Sequence, residues 1–239
     1  MIAWLLGWIW WTVLPIRKRL AVDSYRRCFP ERDPGELRRG IGELAVQYLE
    51  LALGKRAEVR SPELAAGGGL CLAGHFAAWD IMLVSLACQV PVTAFIKVPS
   101  SPLAAWLLSR LRAQATDLEL LTAQDSPRRA YDALKAGRLV LLVQDQRLNS
   151  GRSVPFFDRP AKTSPGFGAM AWQTGAPLLG IYQWREGRKH IVQLERLSVT
   201  VPEKRGAAIT ALTAESQRFY EERIRRRPWS WLWLHDRWR

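Results

Sequence analysis

Two short stretches of the 239-residue chain set polar residues directly after apolar runs, where a site could lie. The first is LAGHFAAWD, residues 72–80, where an apolar run ends at Gly74, His75 follows at once, and Asp80 stands five positions later. The second is LLVQDQ, residues 141–146, where another apolar run gives way to Gln144, Asp145 and Gln146. A carboxylate on one imidazole nitrogen fixes the tautomer and stabilises the imidazolium, which frees the other nitrogen to act as a general base. Within one regular helix, residues five apart are turned roughly 140° from each other. His75 and Asp80 can therefore meet only if His75 lies in a loop and a helix begins just after it. The spacing permits that pairing without requiring it. A structural histidine beside a helix cap is the other reading of the same residues.

The elements that must position these groups are visible in the patterning. Residues 138–144 form a short continuous apolar run, as in a strand buried on both faces. A glycine-rich loop at Gly67 to Gly69 leads into a strand before His75. Further strands are expected over 91–97, 177–184 and 190–199. Asp33-Pro34-Gly35-Glu36 opens a helix whose apolar face is Leu37, Ile41, Leu44, Tyr48 and Leu51. Ser101-Pro102, Ser126-Pro127 and Ser164-Pro165 open three more, and residues 206–226 read as a last helix. Strands alternating with helices predict an α/β fold with a mainly parallel, mixed sheet flanked by helices. Sites in such sheets lie at the carboxyl ends of strands, so Gly74-His75 and Asp145-Gln146 are expected on one rim.

Composition narrows the partners. The formal net charge is +13, and tryptophan occurs 12 times. That combination suits an anionic membrane surface, nucleic acid or an acidic carrier protein. The tryptophans gather near the two ends beside apolar runs, which favours lipid. Zinc-finger spacing, an RNP-like motif and a helix-turn-helix are absent from the sequence, so no nucleic acid is expected, although a non-catalytic basic membrane- or nucleic-acid-binding protein is the alternative. The opening MIAWLLGWIWWTVLPI is shorter than a straight membrane span needs and lacks the flanks of a cleaved signal. It predicts an amphipathic helix lying in or dipping into a membrane, with Trp4, Trp8 and Trp11 on one face and Arg17, Lys18 and Arg19 on lipid phosphates, a core helix of a soluble domain being the plainer reading. This divides the chain into a membrane-associated segment, residues 1–28, and a domain over 29–239. Cys28, Cys71 and Cys88 read as buried thiols in a reducing compartment.

These motifs, taken in order, give the chain a family resemblance. LAGHFAAWD and the downstream GRLVLLVQDQRLNSGRSVPFFDRPAKTSPGFGAMAWQTGAPLLGIYQW resemble the lipid A biosynthesis (lauroyl/myristoyl) acyltransferase family, within the wider lysophospholipid acyltransferase group. The closing IRRRPWSWLWLHDRWR and the early RKRLAVDSYRRCFPE are similar to that family's terminal segments. Two departures stand out: Asp80 where the family often has Glu, and Asp158 where it often has Gly after Phe-Phe.

The resemblance implies a glycerolipid acyltransferase-like fold and transfer of a fatty acyl chain from a thioester to a hydroxyl of a membrane lipid or glycolipid, such as a lipid A precursor. The donor would be acyl carrier protein or acyl-CoA, as substrate rather than cofactor, and no metal is called for. The site would lie on the cytoplasmic face of a bacterial inner membrane. His75 would be the base and Asp80 its orienting carboxylate. No G-x-S-x-G elbow is present, so direct attack without an acyl-enzyme is the simpler route. Arg110 or Arg112, or backbone amides just after His75, are candidates to stabilise the oxyanion. Asp145 and Gln146 would support the site or hold the acceptor, with a strand-end cap as the plainer role. Phe156 and Phe157 would line an acyl groove or pack the core. Thr163 is placed with the substrate-binding set, although Thr163 or Ser164 also reads as a helix cap. His235 is expected to be structural.

Overall fold

The computed structural model describes residues 1–238. Its centre is made by the two most apolar short runs of the chain, β2 (Gly69–Ala73) and β5 (Leu139–Val143), which lie side by side and parallel, Ala73 opposite Val143. Side chains alternate across a strand, and here the alternation sorts the core into two layers. Leu70, Leu72, Val140 and Leu142 join Phe167, Leu212 and Phe219 of α7 (Gly166–Thr174) and α8 (Arg205–Arg226) on one face. Cys71, Ala73, Leu139 and Leu141 meet Met82, Leu83 and Leu86 of α4 (Trp79–Ala87) on the other. Each fully buried leucine among them stabilises the fold by roughly 2 kcal/mol.

The whole sheet has seven strands. β1 (Glu58–Arg60), β3 (Val92–Phe95), β4 (Leu118–Leu121), β8 (Leu178–Glu186) and β9 (Lys189–Arg196) complete it in the order β1-β9-β8-β2-β5-β3-β4. Every neighbouring pair is parallel except β8 with β9, a hairpin turning at Gly187. The fold is therefore the expected α/β class with a mainly parallel, mixed sheet. A second hairpin, β6 (Arg152–Phe156) with β7 (Arg159–Thr163), stands apart from the sheet. Its turn holds both Phe157 and Asp158 at positive φ, the backbone a two-residue hairpin turn demands. Asp tolerates that conformation better than most residues, which explains how Asp158 serves at this position.

Helices begin where the sequence indicates. Ser101 caps α5 (Pro102–Arg112) by accepting from Ala104 N–H, and Asp33 accepts from Gly35 N–H in a short turn that leads into α3 (Leu37–Ala52). α6 (Arg128–Lys135) follows Ser126-Pro127. β4 and the β6–β7 hairpin were not among the expected elements. Both are short, and Pro155 and Pro160 face each other in the hairpin, which masks a strand pattern. Of the cysteines, Cys71 is buried and Cys28 half-buried, but Cys88 is exposed because it is the C-cap of α4 rather than part of its inner face.

The N-terminal helix α1 (Ile2–Thr12) lies against α3, antiparallel to it, with Ala3 over Gly42 and Gly7 over Arg38. A Cβ on Gly42 would fall 1.8 Å from the Ala3 carbonyl oxygen, so the approach depends on the absent side chain. Trp4 and Trp8 point outward, whereas Trp11 is half-covered beneath the Lys18 ammonium, 4.1 Å from the ring centre. Trp10 is buried and donates to the Ile16 carbonyl. A second helix, α2 (Lys18–Cys28), carries the basic residues that follow. Among the described residues no helix is long and apolar enough to cross a membrane.

Candidate active site

β2 and β5 end in register, and each releases a functional residue two positions past its last strand residue. His75 follows Ala73, and Asp145 follows Val143. Tyr220 of α8 joins the two strand ends: its hydroxyl donates to the Ala73 carbonyl at 2.8 Å and accepts from Gln144 N–H at 3.2 Å. The result is a direct pair. His75 Nδ1 lies 2.9 Å from Asp145 Oδ1, while the His75 backbone N–H donates to Asp145 Oδ2 at 2.7 Å. The Trp231 indole N–H adds a second donor to Oδ2 at 2.8 Å.

The carboxylate on His75 is thus Asp145, which corrects the expectation that Asp80 would orient the ring. Asp80 does stand in the first turn of α4, after a loop that holds His75, but both of its oxygens are engaged elsewhere. Oδ1 accepts from Arg112 Nε at 2.7 Å, and Oδ2 accepts from the Tyr48 hydroxyl at 2.8 Å. The loop is fixed from several directions. Ala77, at φ +50°, donates to the Ser230 carbonyl, Ala78 N–H donates to Gln47 Oε1, and Gln183 donates to the Phe76 carbonyl. The His75 carbonyl accepts from Leu232 N–H. A non-glycine residue held at positive φ beside this pair is backbone strain maintained by its surroundings.

Charge and burial act differently on the two partners. Asp145 is fully buried and His75 keeps about a quarter of its side chain exposed (26%). Burial disfavours the imidazolium, but the charge and hydrogen bond of Asp145, aided by the charge of Asp80, outweigh it and hold the His75 pKa above the ordinary histidine value. Burial likewise opposes the Asp145 carboxylate; the His75 charge, its ring and backbone N–H, and the Trp231 indole overcome this and lower its pKa. With Nδ1 occupied by Asp145, Nε2 is the nitrogen left for chemistry. Gln146 Nε2 sits 3.4 Å and 3.3 Å from the two ring nitrogens, nearly equidistant, so it is in line with neither lone pair and rests against the ring.

His75 opens on a cleft of about 590 Å³. Trp79, Phe95, Leu142 and Met170 give it apolar walls, and Lys97, Arg112, Arg147 and Gln146 place polar groups in it. A larger hollow, about 800 Å³, lies near Gly69 and Pro177, at the start of β2 and before β8, and holds no histidine. The chemistry therefore assigns the site to the smaller cleft.

The other expected site residues divide. Arg112 is buried, bound to Asp80, and lines the cleft, whereas Arg110 is exposed on the outer side of α5. Of the amides after His75, those of Phe76, Ala77 and Ala78 are already engaged, by Gly74 O, Ser230 O and Gln47 Oε1. Phe156 and Phe157 do not line the cleft. They pack in an aromatic cluster with Trp231, Trp233 and Trp238, because the β6–β7 hairpin folds under the C-terminal segment. Thr163 is buried there too, and accepts from Arg237 instead of facing a substrate. Ser164, its neighbour, accepts from Gly166 N–H at the start of α7 and lines the cleft. His235 Nε2 accepts from Arg147 N–H. Among the described residues no three His, Cys, Asp or Glu side chains gather as a metal site.

Sequence reasoning missed Trp231, Tyr48 and Gln47. Nothing in the spacing of a C-terminal tryptophan or of two residues on α3 points at a loop so distant in sequence. The His75–Asp145 pairing did leave a signal: two apolar runs of equal length, each followed by a polar group at the same offset.

Comparison with known proteins adds the family. Residues 53–239 match the model of the bacterial lipid A biosynthesis acyltransferases. Comparison with curated proteins gives no match. Among solved structures, the chain is similar to the 1-acyl-sn-glycerophosphate (LPA) acyltransferase PlsC from Thermotoga maritima, at 14% identity over 96% of each chain with a TM-score of 0.45.

Proposed function

The chain belongs to the bacterial lipid A biosynthesis acyltransferase family and is an acyltransferase of lipid biosynthesis; we propose that it moves a fatty acyl group from a thioester, on acyl carrier protein or CoA, to a hydroxyl of a membrane lipid or glycolipid. The observation that carries the mechanism is the His75–Asp145 pair, with Nδ1 held at 2.9 Å and the ring facing the cleft.

In the reaction, the acceptor hydroxyl gives its proton to His75 Nε2 as its oxygen attacks the thioester carbon. Asp145 stabilises the imidazolium that forms. The carbon–sulfur bond then breaks, the new ester carbon–oxygen bond remains, and the proton passes from Nε2 to the departing sulfur. Negative charge on the carbonyl oxygen needs a donor. Arg112 is the cation of the site held rigidly enough to supply one, because Asp80 fixes its Nε while the side chain lines the cleft. Asp80 thus serves the site through Arg112 and through its charge on His75. The apolar walls suit an acyl chain, and Lys97 and Arg147 suit an anionic group on donor or acceptor. The chain works at the cytoplasmic face of the inner membrane, with α1 and the basic α2 against lipid.

Purified protein given a labelled acyl thioester on each carrier and a total lipid extract should yield an acylated lipid whose mass identifies the acceptor. Product formation that persists in a His75→Ala variant would refute the assignment of the base.

A further inference from the structure

α5 has two faces with different tasks. Its inner face packs Leu108 and Leu111 against α3 and α4 and delivers Arg112 to the cleft. Its outer face exposes Leu103 (72%), Trp106 (60%) and Leu107 (48%), spaced i, i+3, i+4. Val98, also exposed, precedes the helix. Exposed apolar residues in soluble proteins are usually scattered, and here they form one patch beside the cleft. Cations bracket it: Lys97 at the cleft mouth and Arg110 one turn beyond Leu107 both lack an ion-pair partner among the described residues. α3 lies between this patch and the exposed Trp4, Leu5 and Trp8 of α1, packing on α1 at Gly42 and on α5 through Tyr48, Leu51 and Leu111.

We propose that the outer face of α5 is a second membrane-docking surface, seated in the headgroup boundary of an anionic bilayer so that the cleft mouth meets the lipid plane. Tryptophan and leucine on a helix face flanked by unpaired cations are the chemistry of an interfacial helix. The +13 net charge supplies the attraction to anionic lipid. The proposal extends the membrane role of α1 and rests on the lipid acceptor proposed above. It explains why the helix that carries Arg112 also carries the patch: docking and the geometry of the cleft are joined in one element.

The test places an environment-sensitive dye on Leu103→Cys in the full chain with Cys28→Ser and Cys88→Ser, the buried Cys71 being left in place. The same dye on Arg218→Cys, an exposed position of α8 on the opposite face of the sheet, is the control. Vesicles of phosphatidylcholine and phosphatidylglycerol carrying headgroup-region nitroxide lipid should quench the Leu103 dye and spare the Arg218 dye. Trp106→Ser with Leu107→Ser should weaken vesicle binding by roughly tenfold with an unchanged melting temperature. Vesicle binding with no preferential quenching at Leu103, or no vesicle binding at all, would overturn docking through α5. A shift from dimer to monomer in the double variant would instead give the patch to a second copy of the chain. The dye readout needs no turnover, so quenching without acyl transfer would remove the proposed reaction and keep the docking surface, and transfer without quenching would do the reverse.

Discussion

Among the described residues two histidines are hydrogen-bonded to a carboxylate, and they behave in opposite ways. His75 meets Asp145 at 2.9 Å, and His190 meets Glu50 at 2.5 Å. Among the described residues, Asp145 faces no cationic side chain other than His75 at hydrogen-bond distance; its other donors are a backbone N–H and the Trp231 indole. Its charge therefore acts on the imidazole, and the His75 pKa is raised. Glu50 is shared with Lys55 at 2.8 Å and Arg185 at 3.5 Å. Burial dominates His190, and although Glu50 opposes it, the charges of Arg185 and Lys55 act with burial, so its pKa is lowered. The second nitrogen differs as well. His75 stands at an open cleft, whereas His190 Nδ1 is buried with no partner among the described residues. Reactivity in such a pair is set by what else the carboxylate holds and where the free nitrogen points, more than by the length of the hydrogen bond.

Removing each histidine gives the largest separation. His75→Ala should lower acyl transfer by roughly a thousandfold with little change in melting temperature, since the ring is partly exposed. His190→Ala should leave turnover within about threefold and cost about 1–2 kcal/mol of stability, because Glu50 keeps Lys55 as a partner. Turnover assays beside thermal melts decide it. Loss of activity in the His190 variant at an unchanged melting temperature would break the comparison.

Replacing each carboxylate sharpens it through pH. The base must be neutral to accept a proton, so activity rises as pH passes through the His75 pKa, and the raised pKa places that acid limb above the range of an ordinary histidine. Asp145→Asn removes the charge that opposes burial. The plateau rate should fall by about a hundredfold or more, and the limb should move to lower pH. Glu50→Gln should leave both the limb and the plateau in place. A limb that stays put in Asp145→Asn would mean that another group titrates.

The frame behind this contrast was readable from the chain; the pairing was not. The apolar runs ending at Ala73 and Val143 and the prolines opening α5 and α6 are local signals, and they gave the sheet and the rim on which His75 and Asp145 meet. The partner of His75 was not local. Residues 75 and 80 are near in sequence, but the partner is set by strand order, and β2 adjoins β5 only after β3 and β4 have crossed to the far side. Aromatic residues stayed ambiguous for a related reason. Phe156 and Phe157 look the same in sequence whether they line a groove or fill a core, and the C-terminal tryptophans that cover them arrive about 75 residues later. Asp80 could not be placed either, because Arg112, the cation that engages it, lies on α5.

The smallest expected effect concerns Tyr48, whose hydroxyl donates to Asp80 Oδ2 at 2.8 Å from outside the segment matched by the family model. Tyr48 acts as a positioning residue, since it touches Asp80 and through it Arg112, and reaches no reacting atom. Tyr48→Phe keeps the ring that packs against Leu51, Leu108 and Leu111, and removes one of the two donors to Asp80. The Arg112 bond remains, so the loss should be about 1 kcal/mol, which is roughly a fivefold fall in turnover. The fall should appear in kcat with KM unchanged, because the oxyanion proposed to meet Arg112 exists only as the thioester is attacked. The acid limb should stay in place, since the Asp145 contact to His75 is untouched. A lower melting temperature with unchanged kcat would reduce Tyr48 to packing and detach Asp80 from the chemistry, leaving His75 and Asp145 as the whole proton-transfer unit.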